Sequence, residues 1–290
     1  MALRSGGESP RRYFDLTRPD DPPGSVAVEE IYRHLRLPRG VDAPVRRPYT
    51  TINMVSTVDG KVVVGGPGTT GLIGGPTDHR LMRRIMMATD GEVFGAQLIR
   101  DDNPPPPRLS PEARREREAR GLRPVPMWAI VTTSAEFEPD TRALEAGREN
   151  LAVFATNKIK PQTARAIERR AHLYVSDAES VDFATMGTTL RERHGVDRLN
   201  CMGGPSLNWS LIAAGAADEL FLTFAPKLHG GRGLATAVEG VGWQADDMPQ
   251  LELLSLYGHG SELYLRYRLP HVIPTKQGDH DGEPEERRNN

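Results

Sequence analysis

One cysteine, Cys201, stands in a chain of 290 residues. A single thiol excludes an internal disulfide framework and any zinc site built from several cysteines. A long apolar run is also missing: no stretch approaches the ~20 residues needed to span a bilayer. The opening segment MALRSGGESPRRYF has no apolar core of the kind a signal peptide carries. Nor does one sign of charge prevail. The 37 basic and 39 acidic side chains leave a net charge of −2, so no global field recruits nucleic acid or an anionic membrane. What is present is 38% hydrophobic residues, with 29 Gly and 24 Pro and a mean hydropathy of −0.49. That composition implies a buried core wrapped in polar, turn-rich segments. The expected class is a soluble cytoplasmic protein without membrane or nucleic-acid partners, of one large domain or two small ones.

The ends of the chain read differently from its middle. Residues 1–46 are rich in Pro, Arg and Asp, and only 25–37 (SVAVEEIYRHLRL) has a pattern of order. There Ser25 can cap, Glu29 and Glu30 favour a first turn, and Val28, Ile31, Tyr32 and Leu35 recur at helical spacing, which predicts one short helix. Residues 270–290 offer almost nothing to bury and read as a disordered tail. Between them, 47–269 reads as one domain in which β-rich and helix-like segments alternate. Strands are expected at 49–55, 91–94, 126–132, 151–155, 172–175, 198–202 and 219–225. Helices are expected at 77–89, 111–120, 161–170, 181–194 and 206–214. Segments 250–257 and 262–269 look like an antiparallel pair. Such alternation predicts an α/β fold with a mainly parallel sheet flanked by helices and an antiparallel C-terminal edge.

Two glycine-rich stretches invite a phosphate reading. Gly66-Pro67-Gly68-Thr69-Thr70-Gly71 matches G-x-G-x-x-G literally. In a dinucleotide fingerprint, however, the last glycine opens a helix, whereas here Leu72-Ile73-Gly74-Gly75-Pro76 continues as loop, so a flexible loop near a ligand is the better account. The segment 202–209 (MGGPSLNW) carries more. An apolar strand runs into Gly203 and Gly204, and Pro205 and Ser206 then start a helix whose first N–H groups suit an anion of about pyrophosphate size. A tight strand-to-helix turn without a ligand fits the same residues. Asp59-Gly60-Lys61 closes the first strand, as a simple hairpin turn or as an Asp and a Lys held against a polar substrate. No HExxH, Walker A or GxSxG motif and no metal-ligand cluster occurs, so no metal is expected. The eight histidines are scattered, and Cys201 reads as a small buried hydrophobe.

Several segments, in order, resemble the reductase domain of riboflavin biosynthesis, a family with the dihydrofolate-reductase-like fold. They are Arg47-Pro48-Tyr49 leading to 53–61 (NMVSTVDGK), 90–104 (DGEVFGAQLIRDDNP), 203–209 (GGPSLNW), 215–219 (GAADE) and 225–231 (APKLHGG). The resemblance implies NADPH as hydride donor and the ribose C1′ of a phosphoribosylamino-pyrimidine as acceptor. By position, it implies cofactor contacts at Ser56, Leu72, Gly95, Leu98, Asp102, Ser134, Gly203, Gly204, Pro205, Ser206 and Leu207. Thr57, Asp59, Lys61 and Thr70 fall on the substrate side. A homodimer is also implied, with 250–269 offering an edge strand. The chain departs from the family pattern at two substrate-side positions, where Met86 and Met202 stand in place of polar residues. A thioether can neither donate a proton nor accept one from a hydroxyl as a carboxylate would, and no residue is assigned as catalytic; water or Lys61 could supply a proton. Three readings therefore stay open: the pyrimidine reductase, an NADPH-dependent reductase of this fold with a different substrate, and a nucleotide-binding protein without turnover.

Overall fold

The structure, a computed structural model, describes residues 9–42, 44, 46–65, 69–135 and 141–270. The glycines at 66 and 68 and the tail from 271 onward lie outside the described residues. The strands are β1 (Arg11–Asp15), β2 (Gly24–Ser25), β3 (Tyr49–Thr57), β4 (Gly91–Gly95), β5 (Met127–Val131), β6 (Leu151–Thr156), β7 (His172–Ser176), β8 (Arg198–Cys201), β9 (Glu219–Ala225), β10 (Glu252–His259) and β11 (Glu262–Arg268). All join one sheet in the order β2-β1-β10-β11-β9-β3-β8-β4-β5-β6-β7. From β9 through to β7 the pairing is parallel; β11, β10, β1 and β2 extend it antiparallel. The expected mainly parallel sheet with an antiparallel edge is the fold observed.

The helices are α1 (Pro76–Met86), α2 (Ala96–Asp102), α3 (Pro111–Ala119), α4 (Pro161–Glu168), α5 (Phe183–His194) and α6 (Pro205–Ala213). Four of them, α1, α3, α4 and α6, start on proline. Its fixed φ suits the first helical position, and its missing N–H would have had no partner there. α5 begins instead at Asp182, whose carboxylate accepts the Ala184 N–H, and stops at Gly195 with φ 63°. α2 was not expected from the sequence. Its seven residues between Gly95 and Asn103, at φ 41°, are too few to display a period.

Alternate residues of the parallel strands bury on opposite faces. Val93, Met127, Ala129, Ala152 and Phe154 pack under α5 and α6 with Met186, Leu190, Leu207 and Leu211. Phe94, Trp128, Ile130, Leu151 and Val153 pack on the other face with Ile99 of α2 and Ile167 of α4. Each large apolar side chain so enclosed contributes about 1.5–3 kcal/mol.

Two expectations need correction. The helix expected at 25–37 is a single 3-10 turn, Val28–Glu30, and the chain then takes φ 56° at Tyr32. Its apolar side chains do bury, but irregularly, since Ile31, Tyr32, Leu35 and Leu37 fill the space between α1 (Leu81, Ile85) and the antiparallel strands (Tyr257, Tyr264). The Arg84 guanidinium of α1 donates to the carbonyls of Val28 and Ile31, which holds the segment in a shape no helix could take. The second correction concerns the sheet edge. Segment 250–269 does not offer one: β10 is covered on its outer side by β1, with Arg11 opposite Gly258 and Asp15 opposite Ser255. An exposed strand edge invites aggregation, and the chain's own N-terminal segment occupies it.

Two of the recognised segments prove to be structural. The Arg47 guanidinium meets the Asp218 carboxylate through paired bonds of 2.7 and 2.8 Å, and Asp218 also accepts the Thr50 N–H at 2.7 Å. Next to it, Glu219 receives Arg266 at 2.8 and 2.9 Å and the Tyr49 hydroxyl at 2.8 Å. Breaking a buried pair of this kind costs about 3–5 kcal/mol.

Candidate active site at the carboxyl ends of the strands

β4 and β8 are neighbours, yet the helices that follow them leave in opposite directions: α2 packs on one face of the sheet and α6 on the other. Such a divergence opens a crevice at the carboxyl ends of the strands. Here it is a cleft of about 500 Å³ whose lining includes Gly95, Val131, Thr132, Ser134, Thr156 and the start of α6. The Gly95 N–H donates to the Gly203 carbonyl at 3.0 Å, tying the two strand ends together at the cleft floor.

The N-terminus of α6 faces this space. Gly204 is its cap and no side chain caps it, so the first-turn N–H groups keep their capacity for a ligand and carry the positive end of the helix dipole. Gly203, joined to Gly204 by a cis peptide, has φ 93°, a backbone suited to glycine. At Gly204 an added Cβ would meet nothing within 4 Å: the position looks into open cleft, and a side chain there would occupy it. The residues fit a pyrophosphate of a dinucleotide at this point.

A long loop after β9 is docked over the start of α6. The Asn208 amide donates to the Ala237 carbonyl at 2.8 Å, the Glu239 N–H donates to the Pro205 carbonyl at 3.2 Å, and Trp209 and Trp243 lie with ring centroids 4.1 Å apart. This brings Ala235 and the Glu239 carboxylate to the cleft. Bonds from the Thr236 N–H and hydroxyl, then the nearby Lys61 charge, hold the Glu239 carboxyl below the usual range. Lys61 reaches the same loop: its ammonium donates to the Leu234 carbonyl at 3.2 Å, beside the lining residue Ala235.

The other end of that loop is fastened by Asp59. Its carboxylate accepts the Thr57 hydroxyl at 2.6 Å, the His229 N–H at 3.1 Å and the Gly230 N–H at 2.7 Å. The Thr57 bond first, then Gly230 and His229, hold this carboxyl well below the usual carboxylate range. The Thr57 oxygen in turn accepts the Lys61 N–H at 2.9 Å. Thr57, Asp59 and Lys61 therefore form one connected turn. The side chain of Thr70 lies outside the described residues; its backbone belongs to a 3-10 turn, Thr70–Leu72.

Among the expected cofactor contacts, Gly95, Ser134, Gly204, Pro205, Ser206 and Leu207 line the cleft, and Gly203 adjoins it through the bond from Gly95 to its carbonyl. The others are not brought to it. Ser56 is buried in β3, Leu72 stands in solvent, Leu98 packs against the α2–α4 core, and Asp102 ends α2. Met202 turns its sulfur to the Asn200 amide at 2.9 Å and packs against the same core, away from the lining. Met86 ends α1, where its carbonyl accepts the Thr89 hydroxyl. Cys201 is buried, its thiol pushed up to about 12 by burial.

Sequence reasoning missed the Arg100, Glu179 and Glu239 side chains, all of which line the cleft. Arg100 lies within a recognised segment, between the expected contacts Leu98 and Asp102, and that neighbourhood was the one signal for it, because α2 is too short to display a period. Glu179 and Glu239 lie in loops with no local signal. A further group lies outside the cleft lining: Glu92 of β4 is fully buried, neither oxygen has a hydrogen-bond partner among the described residues, and burial pushes its carboxyl up to about 8 against the opposing pull of the Arg117 charge. Among the described residues no cluster of three His, Cys, Asp or Glu could hold a metal, and no helix is long and apolar enough to cross a membrane.

Residues 48–265 match the family model described as the RibD C-terminal domain. The 2,5-diamino-6-ribosylamino-4(3H)-pyrimidinone 5′-phosphate reductase of Methanothermobacter thermautotrophicus is 29% identical over 224 residues, covering 76% of this chain and 98% of that protein. The reductase of the same name from Aquifex aeolicus is 26% identical over 235 residues, 79% of this chain and 100% of that one. In fold the chain is similar to a pyrimidine reductase-like protein from Corynebacterium diphtheriae, with a TM-score of 0.64 at 19% identity over 77% of this chain and 92% of the other.

Proposed function

Because this chain belongs to the RibD C-terminal domain family, we propose that it is an oxidoreductase of riboflavin biosynthesis. It uses NADPH to reduce the ribose C1′ of a phosphoribosylamino-pyrimidine such as 2,5-diamino-6-ribosylamino-4(3H)-pyrimidinone 5′-phosphate, the substrate in the relatives' names. The observation that carries the reading is the uncapped N-terminus of α6 opening on the cleft, next to a turn that holds Lys61.

Bound NADPH would supply the hydride, which is the difficult part of the chemistry. The chain's own residues bind and orient. The N–H groups of Gly204, Ser206 and Leu207 hold the pyrophosphate, with Gly95 and Ser134 bordering the cofactor. Lys61 is the cation at the substrate end, placed to neutralise the substrate phosphate or to give a proton to the ring-opened imine. Thr57 and Asp59 keep that turn and the loop 229–239 in place, and Thr70 belongs to the same side. Holding the reacting carbons at ~3–3.5 Å accounts for several kcal/mol of the barrier, so the methionines at 86 and 202 do not preclude turnover.

A homodimer in the cytoplasm is part of the same reading. Its support is the exposed apolar side chains of the long loop: Leu228, Val241 and Met248 are 80%, 86% and 55% exposed. Light scattering at micromolar concentration should give twice the chain mass of 32.0 kDa, and a particle of the single-chain mass would refute the dimer.

The test of function is NADPH oxidation with the purified pyrimidine substrate. Robust turnover is expected. Tight NADPH binding without turnover would replace this reading with a different substrate or a non-catalytic role.

A further inference from the structure

We infer that Arg100 is the residue that makes the cleft selective for NADPH over NADH, by receiving the phosphate monoester on the adenine ribose. The inference rests on the cofactor site proposed above and goes beyond it by assigning the second phosphate.

NADPH carries two phosphate groups of different kind, and the cleft offers two different kinds of receptor. The start of α6 presents N–H groups, which suit the bridging pyrophosphate. The remaining monoester is a dianion near neutral pH and calls for a guanidinium, whose planar fork matches phosphate oxygens in pairs. Among the described residues that line the cleft, Arg100 is the one cationic side chain; the other charged ones, Glu179 and Glu239, are acids. Glu179 is engaged by Lys158 at 3.3 Å, and Glu239 by Thr236.

Position supports the assignment. α2 starts where Gly95 bonds Gly203, so its first residue adjoins the pyrophosphate point. Arg100 lies four residues further along that helix, about 6 Å at 1.5 Å per residue. A 2′-phosphate one ribose away from the pyrophosphate lies within reach of so long a side chain. The guanidinium is also oriented in advance: one nitrogen donates to the Gln97 carboxamide oxygen at 2.8 Å, and the Gln97 amide donates to Asp101 at 2.7 Å. Gln97 and Ser134 also line the cleft and add neutral donors to it.

The experiment is isothermal titration of NADPH, NADH, 2′,5′-ADP and 5′-AMP against wild type, Arg100→Ala and Arg100→Lys, without substrate. Wild type should bind NADPH and 2′,5′-ADP at least tenfold more tightly than their partners lacking the 2′-phosphate. Arg100→Ala should abolish that preference while leaving the NADH and 5′-AMP affinities within twofold. Arg100→Lys should keep part of it. The side chain is exposed, so the melting temperature should not change, and circular dichroism checks this. A preference that survives in Arg100→Ala, or equal losses for all four ligands, would overturn this inference alone. Wild type that binds neither dinucleotide would overturn the cofactor site itself and the inference with it.

Discussion

The Gly230 N–H donates to the Asp59 carboxylate at 2.7 Å, across 171 residues of chain. A residue expected from the sequence to contact substrate is, in the structure, the fastening of the loop that brings Glu239 to the cleft. The same carboxylate orders Thr57 and, through it, the Lys61 turn.

Asp59→Asn keeps the size of the side chain but removes the charge and one pair of acceptor sites. It should weaken both ends of the loop together. The expected result is a KM for the pyrimidine raised at least tenfold, about 1.4 kcal/mol, with the NADPH dissociation constant changed by less than threefold. An unchanged KM would show that the loop does not depend on this staple.

Gly204→Val places a branched side chain in the open space in front of the α6 N-terminus. NADPH affinity should fall more than tenfold, about 1.4 kcal/mol, while the melting temperature stays within a few degrees. Titration with unchanged affinity would put the pyrophosphate elsewhere.

Glu92 makes stability fall as the solution becomes alkaline. Burial pushes its carboxyl up to about 8 from an ordinary 4.5, so between those values the unfolded chain ionises while the folded one keeps its proton. The folded state is therefore unpenalised below pH 4.5 and progressively disfavoured as pH rises through about 8. Glu92→Gln removes the titration. The variant should gain over wild type by at least 3 °C more at pH 8 than at pH 5, on the order of 1 kcal/mol; equal differences at both pH values would contradict a neutral buried Glu92.

His194 acts at the other end of the scale. Burial first, then the neighbouring His172, Arg123 and Arg193, bring its ring down to about 4 from 6.5, and the Tyr174 hydroxyl meets its Nε2 at 2.9 Å. With a lowered folded value, the unfolded ring takes up a proton first as pH falls below 6.5, so stability drops from there through about 4, by at most ~1.4 kcal/mol per pH unit. Urea midpoints at pH 7, 5 and 4 should show a shallower acid decline in His194→Gln than in wild type. Parallel declines would mean that another group governs the acid limb.

Periodicity and turn chemistry were enough to make the parallel half of this fold legible in the sequence. Apolar segments such as MWAIV and LAVFA, bounded by turn residues, read as strands buried on both faces, and Pro111, Pro161 and Pro205 mark three helix starts, because these preferences act within a few residues. The glycine turn at 203–207, where the pyrophosphate is proposed to sit, was legible for the same reason: two glycines, a proline and a helix start are local facts. The strand β1 and the shape of residues 25–37 were not, since they depend on an uncovered β10 edge and on Arg84, far away in the chain. Nor could spacing alone say that α2 and α6 diverge from neighbouring strands, that Arg100, Glu179 and Glu239 meet in the resulting cleft, or that Met202 turns away from it. Local sequence determines which segments become strands and helices; which side chains share a cleft is decided by the order in which the strands assemble, and that order is set by burial summed over the whole sheet.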